Sequence, residues 1–242
     1  MTAHAFSPPP PATVAAPVLS ARQLTKTYGM TTALAGVDVD LRAGESVAVM
    51  GASGSGKTTL LHCLAGIVRP SSGRVLLSTS HGPVVVSSLS DRERSRLRRE
   101  RLGFVFQEGL LIPELTAVEN VAMALMLQGV ARPAAEHHAA LWLRHLGLAG
   151  MEDRRIGQLS GGQAQRVAIA RAQVTGAEVV FADEPTGALD SDTSREVMQA
   201  LLRATTGAGR TLVVVTHDET VAAQCSRVLR LRDGRVVGDS LS

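Results

Sequence analysis

The sequence predicts an α/β fold in which a buried parallel sheet is interrupted by a block of helices, and three observations carry this. Short apolar runs at Ser46–Met50 (SVAVM), Leu102–Phe106 (LGFVF), Glu178–Ala182 (EVVFA) and Thr211–Thr216 (TLVVVT) alternate with helical patterns. Runs of that length and β-branched content, bounded by turns, mark strands covered on both faces. A Gly-rich turn joins the first run to a helical stretch over Lys57–Ala65. Between Pro113 and Thr175 no strand signal occurs, so the sheet pattern is suspended over that interval.

In chain order, residues 1–17 hold five of the ten prolines, Pro8–Pro11 and Pro17, with no Lys or Arg. The proline run breaks any continuous apolar segment, so a disordered or polyproline-like tail is expected rather than a secretory signal. Residues 18–242 are expected to form one domain, with a helical subdomain at about 108–175. Within that block Thr116 and Glu119 have capping-box spacing, ahead of Val121, Ala122, Leu125 and Met126 on one helical face. A second helix over Pro133–Leu146 is expected to end at Gly147 as its C-cap. Near the C-terminus Asp233-Gly234 reads as a hairpin turn before a short last strand.

Composition bounds the function. Lys+Arg is 25 against Asp+Glu 22, a formal net charge of +3 in 242 residues, which argues against a dedicated nucleic-acid binder. The arginine run Arg92, Arg94, Arg96, Arg98, Arg99 and Arg101 is interleaved with Asp91, Glu93 and Glu100 and has no accompanying aromatics. It reads as a solvated helix face. Two cysteines, Cys63 and Cys225, make no disulfide framework, and Cys63 reads as core. No stretch of 18 apolar residues is present, so the chain reads as a soluble cytosolic protein that does not itself cross a membrane. The histidines other than His217 show no ligand spacing. Of the 25 basic residues only Lys26 and Lys57 are lysine.

Lys57 stands in Gly51-Ala52-Ser53-Gly54-Ser55-Gly56-Lys57-Thr58, which fits G-x-x-x-x-G-K-[ST] between a predicted strand and a predicted helix. In that context the loop folds into a nest of backbone N–H groups at a helix N-terminus. Lys57 then reaches the β- and γ-phosphates of a nucleotide, and the Thr58 hydroxyl ligates Mg²⁺. A dinucleotide-type G-x-G-x-x-G fails, because Gly54 and Gly56 are followed by Thr59. A second apolar strand ends in Asp183-Glu184. Asp183 at a strand tip is placed to hold Mg²⁺ through water, as Walker B aspartates do, and Glu184 to act as base toward the attacking water. Leu159-Ser160-Gly161-Gly162-Gln163 precedes a helical run and forms a second anion site by the same dipole logic. One terminal phosphate cannot occupy two sites, unless a second copy caps the nucleotide held by the first.

With these residues in place the chain resembles the nucleotide-binding subunits of ABC transporters from about Val18 to its C-terminus. The resemblance implies a RecA-like parallel-sheet core with an antiparallel β subdomain and an inserted helical subdomain. It implies that Gln107 meets Mg²⁺ and the attacking water, that His217 contacts the γ-phosphate, and that Tyr28 stacks on adenine. Asp190 falls in Ala188-Leu189-Asp190, the D-loop, and Thr59 closes the phosphate loop. Leu110-Leu111-Ile112-Pro113 is either core of the helical block or a groove for a partner's cytoplasmic helix. Leu97–Glu119 and Asp183–Asp190 look like the macrolide-export and lipoprotein-release branch, whereas His81–Ser88 and Gln163 depart from it. Expected, then, is a homodimer that closes around ATP and Mg²⁺ and powers a separate integral membrane permease with a large extracytoplasmic domain. Such a subunit would sit peripherally on the cytoplasmic face of the membrane. The alternative is an ATPase that regulates a cell-wall or division-associated partner without transport. A translation or repair role is disfavoured, since 51 residues between Gln107 and Leu159 leave no room for a coiled-coil insertion.

Overall fold

The structure is a computed structural model and describes residues 16–79 and 82–240. The expected tail lies outside the described residues except for Ala16 and Pro17, as do Ser80 and His81. The strands are β1 (Leu19–Tyr28), β2 (Thr31–Leu41), β3 (Ser46–Met50), β4 (Ser72–Thr79), β5 (Gly82–Val85), β6 (Leu102–Phe106), β7 (Val179–Asp183), β8 (Thr211–Val215), β9 (Arg227–Arg232) and β10 (Arg235–Asp239). The α-helices are α1 (Lys57–Leu64), α2 (Asp91–Arg101), α3 (Ala117–Met126), α4 (Arg132–His145), α5 (Gly161–Gln173), α6 (Ser191–Thr205) and α7 (Glu219–Ala222).

Two sheets result. An antiparallel sheet has the order β2-β1-β4-β5, and a second sheet has the order β10-β9-β3-β8-β7-β6. In the second, β9, β3, β8, β7 and β6 are parallel and only β10 runs against its neighbour. Alternation along these strands divides the interior in two. Val47, Val49, Val179, Phe181, Val213 and Val215 face one core with α1 and the antiparallel sheet. Val180, Ala182, Leu212, Val214 and Val105 face another with α3, α4, α5 and α6. Burial on both faces is what makes these strands continuous apolar runs.

The local chemistry explains most element ends. Ser90 with Glu93, Thr116 with Glu119 and Ser160 with Gln163 form capping boxes at α2, α3 and α5. Gly147 follows α4 at φ 75°, the left-handed C-cap geometry. Asp233 and Gly234 both have positive φ, as a two-residue type I′ turn requires. Two expectations need correction. Met126 is 43% exposed, because α3 ends there and only Val121, Ala122 and Leu125 of its apolar set face the core. The arginine run is not wholly solvated either. Arg94 is buried with its aliphatic stem over Gly66 and its guanidinium on Asp91, and Arg98 donates to the Gly66 carbonyl oxygen at 2.7 Å, tying α2 to the end of α1.

The two sheets are locked together by Arg227, whose side chain is 5% exposed. It makes a two-pronged pair with Asp239 at 2.8 and 2.7 Å and donates to Glu45 at 3.2 Å. It also donates to the Asp40 carbonyl oxygen of β2 at 2.6 Å. Arg227→Met should therefore destabilise the protein by about 3 kcal/mol, since it strips two partly buried carboxylates of their shared cation. A urea midpoint that falls with an unchanged m-value would register this loss; an unmoved midpoint would contradict it.

Candidate functional site

The phosphate loop is shaped by the absence of side chains at two positions. A Cβ at Gly51 would collide with the Leu231 carbonyl oxygen and Ser55 Oγ, and one at Gly56 (φ 102°) would collide with the Ala33 carbonyl oxygen. The loop is wedged in this way between β2 and the β9–β10 hairpin. Gly234 N donates to Ser55 O at 3.0 Å, and Ala35 N donates to Gly234 O at 2.9 Å. Lys57 Nζ folds across the loop and donates to Gly51 O at 2.8 Å and Ala52 O at 3.0 Å. The first turn of α1 has neither a side-chain cap nor an acidic residue. Its N–H groups, with the positive end of the helix, are left for an anion. Ser55 Oγ is buried with no hydrogen-bond partner among the described residues. An open cleft of about 290 Å³ above the loop is lined by Ser53, Gly54, Gly56, Lys57, Thr58, Thr59 and, from the far side, Glu184.

Strand register brings the acidic residues to this cleft. Phe106 pairs with Asp183, and Asp183 with Val215, so the residues after β6, β7 and β8 emerge side by side. Thr58 Oγ1 donates to Asp183 Oδ1 at 3.3 Å. Burial pushes the Asp183 carboxyl above the usual aspartate range, partly offset by the Thr58 hydrogen bond. Glu184 adopts φ 47°, rare for a residue with a Cβ, and its N–H is held by Val215 O at 2.9 Å. Its Oε1 lies 3.0 Å from His217 Nδ1. That hydrogen bond, with the Glu184 charge, pushes the exposed His217 imidazole above its ordinary 6.5. Gln107 follows β6, lies against Gly187 and shares a cleft with Thr58, Asp183 and Glu184.

Other expected residues stand elsewhere. Ser160, Gly161, Gly162 and Gln163 open α5 and line neither the Lys57 cleft nor the Glu184 clefts of the same chain. Ser160 Oγ accepts from Gln163 N, and Gln163 Oε1 accepts from Ser160 N. Gly162 has a packing reason as well, since a Cβ there would press on Thr193 at 2.5 Å. Asp190 caps α6 by accepting from the N–H groups of Asp192 and Thr193 and from the Thr193 hydroxyl, which holds its carboxyl below the usual range. Tyr28 ends β1 in the antiparallel sheet, half exposed, with Lys26 Nζ 4.8 Å from its ring centre. Of the run after Gln107, Leu111 packs on the core whereas Leu110 is 58% exposed at φ 47°.

Two functional candidates escape sequence reasoning, Gln165 and Arg171 on α5. Gln165 Nε2 donates to Phe106 O at 2.9 Å and to Pro185 O at 2.7 Å. Arg171 donates to Gly109 O at 2.6 Å and Leu110 O at 2.7 Å. The one signal in the sequence is their position among Val167, Ala168, Ile169 and Ala172, polar groups in an otherwise apolar helix stretch.

Comparison with known proteins yields a consistent set. The family model described as ABC transporter matches residues 34–187. The chain is 46% identical over 231 residues to a macrolide export ATP-binding/permease protein, MacB, of Nitrosomonas europaea, covering 93% of this chain and 34% of that protein. It is 45% identical, with the same coverage, to a pyoverdine export ATP-binding/permease protein, PvdT, of Pseudomonas fluorescens. This chain spans about a third of the length of those relatives. Among solved structures, the dimeric ATP-binding cassette MJ0796 bound to ADP and Pi superposes with a TM-score of 0.82 at 38% identity, over 92% of this chain and 97% of that one. The cassette cbiO1 of Clostridium perfringens gives 0.82 at 29% identity, over 93% and 88%.

The His217–Glu184 pair makes a pH-dependent contact of defined sign. Because the imidazole pKa is raised in the folded protein, the pairing is complete below pH 6.5 and is lost as pH rises through the higher folded value. An NMR titration of His217 should give a midpoint above 6.5 that returns toward 6.5 in Glu184→Gln. A midpoint indifferent to that substitution would separate the two residues.

Proposed function

The chain belongs to the ABC transporter family, and from that premise we propose that it is an ATP-hydrolysing motor that dimerises around ATP and drives a membrane permease for export. One observation supports this reading above the others. The cleft at the uncapped N-terminus of α1 is lined by Thr58, whose hydroxyl contacts Asp183, and by Glu184, whose carboxylate pairs with His217. A polyphosphate anion fits the helix terminus, a divalent cation the Thr58–Asp183 contact, and a polarised water the Glu184–His217 pair. The relatives named for macrolide and pyoverdine export carry ATP-binding and permease functions in one protein. They favour a small or medium-sized exported molecule as cargo.

Residues 18–242 act in this reading as one ATP-binding domain, with the helices between about 108 and 175 as the arm that meets the permease. Among the described residues no helix is long and apolar enough to cross a membrane. The domain is placed peripherally, on the cytoplasmic face, by its permease. Phosphates rest on the N–H groups of Gly51–Thr59, with Lys57 swinging from its carbonyls onto the β- and γ-oxygens. Thr58, Asp183 and Gln107 would hold Mg²⁺, which supplies charge neutralisation at the phosphates; the half-buried Asp183 carboxyl is a donor that gains from such a cation. Glu184 accepts the proton of the attacking water, and His217 holds the Glu184 carboxylate and reaches the γ-phosphate. Tyr28 stacks on adenine. Ser160, Gly161, Gly162, Gln163 and Asp190 act across the interface on the nucleotide of the second copy, which explains why they lie away from the Lys57 cleft of their own chain.

Glu184→Gln should keep ATP affinity, accumulate an ATP-dependent dimer visible by light scattering, and lose about 10²–10⁴-fold in turnover. Wild-type turnover in this variant would remove Glu184 from the base role. Lys57→Ala should abolish nucleotide binding measured by fluorescence titration, and unchanged affinity would overturn the phosphate-loop assignment. In vesicles with the permease, cargo should raise ATP turnover. Turnover that is indifferent to any cargo would instead favour a regulatory ATPase.

A further inference from the structure

Resting on the ATPase reading above, we propose that Gln165 and Arg171 are positioning residues: α5, whose N-terminus is Ser160–Gly162, clamps the Gln107 loop and the Glu184 turn of its own chain. The geometry is a set of side-chain bonds to main-chain carbonyls. Gln165, 4% exposed, uses one amide nitrogen to hold Phe106 O, the residue before Gln107, and Pro185 O, the residue after Glu184. One side chain thereby spans the ends of β6 and β7 at the point where each delivers a site residue. Arg171 holds the far end of the same loop through Gly109 O and Leu110 O. It forms no ion pair among the described residues, so its guanidinium serves as a carbonyl fork. A Cβ added at Gly109 would press on Gln165 Oε1 at 3.3 Å and meet Ala168 at 3.5 Å, so the loop runs close to α5.

The clamp acts on two backbone positions that need outside support. Leu110 and Glu184 are both non-glycine residues at φ 47°, and each is next to or identical with a carbonyl-bonded position of the clamp. Release of Pro185 O removes one of the supports of the Glu184 turn, leaving the Val215 O contact, and release of Phe106 O loosens the strand end before Gln107. Since α5 begins at the segment assigned to the nucleotide of the second copy, a shift of that helix reaches Gln107 and Glu184 through these four bonds. Closure of the dimer and assembly of the hydrolytic groups become one event.

The test uses the full chain with ATP and Mg²⁺. Gln165→Leu, similar in volume but unable to donate, should leave nucleotide affinity within about twofold and lower kcat about tenfold, the rate equivalent of a lost buried hydrogen bond. The decisive measurement is a cycle with Gln107→Ala. Because Gln165 acts partly through Gln107 and partly through the Glu184 turn, the double variant should be slower than either single variant by less than the product of the two losses; independent effects multiply in full. Multiplying losses, or a kcat unchanged in Gln165→Leu, would overturn the proposal. Should Gln165→Leu fold poorly by its melting temperature, Arg171→Lys carries the same cycle, because an ammonium cannot hold both carbonyls with fork geometry. A wild-type chain that hydrolyses no ATP would refute the ATPase reading itself, whereas an active wild type with multiplying losses refutes only the clamp.

Discussion

The parallel register of β3, β8, β7 and β6 is the constraint on which the rest of the molecule depends. Val49, Val215, Asp183 and Phe106 stand in one row across four strands, paired directly from neighbour to neighbour. The chain therefore leaves all four strands at the same edge, where it delivers the phosphate loop, His217, Glu184 and Gln107. A slip of one residue in any pair would turn the apolar side chains of that strand to the wrong core and carry its loop residue away from the cleft. The apolar cores on both faces of the sheet oppose such a slip, so the energetics of packing and the geometry of the site are enforced by the same side chains.

The helix N-termini divide into two kinds. Those of α2, α3, α5, α6 and α7 accept a side-chain cap from Ser90, Thr116, Ser160, Asp190 and Asp218 respectively, and α4 starts with a proline in its first turn. Among the described helices, only α1 has a glycine, Gly56, at its N-cap position, with no side-chain cap and no proline in its first turn. An uncapped, positively polarised terminus costs stability in an isolated chain and is recovered when an anion binds. The α5 terminus is the intermediate case. Ser160 spends an oxygen lone pair on the N–H of Gln163, yet a serine that caps as an acceptor keeps its O–H to donate. Capping and anion recognition are therefore compatible at α5, whereas at α1 the anion takes the place of the cap.

The same division explains what can be read from sequence. Strands β3, β6, β7 and β8 are legible within about one residue, because burial on both faces leaves unbroken apolar runs. The antiparallel strands are not individually legible. β1 carries register shifts and a positive φ at Gln23, so its alternation breaks down between Ala21 and Leu24. Around the cleft, Lys57, Thr58, Asp183 and Glu184 stand out in the sequence because each sits in a short motif next to a strand run, whereas Gln107 and His217 enter through the family resemblance. Gln165 does neither, since a helical glutamine looks the same in sequence whether it faces water or two backbone carbonyls. Arg94 misleads for a related reason: six arginines within ten residues suggest a uniform face, and only the packing of α2 on Gly66 distinguishes the buried one.

The near-absence of lysine reflects how cations are used. Guanidiniums serve as static cross-links to backbone carbonyls throughout: Arg69 to Leu89, Arg98 to Gly66, Arg171 to Gly109 and Leu110, Arg210 to Gln173, and Arg227 to Asp40. A planar fork loses little freedom per bond and holds two acceptors at fixed spacing, which suits a permanent brace. Lys57 makes the same kind of bond, to Gly51 O and Ala52 O, but with a compact ammonium on a flexible stem that can exchange those carbonyls for phosphate oxygens without moving the backbone. In the proposed reading, the basic side chain at the cleft that exchanges partners is thus a lysine in an otherwise arginine-rich sequence.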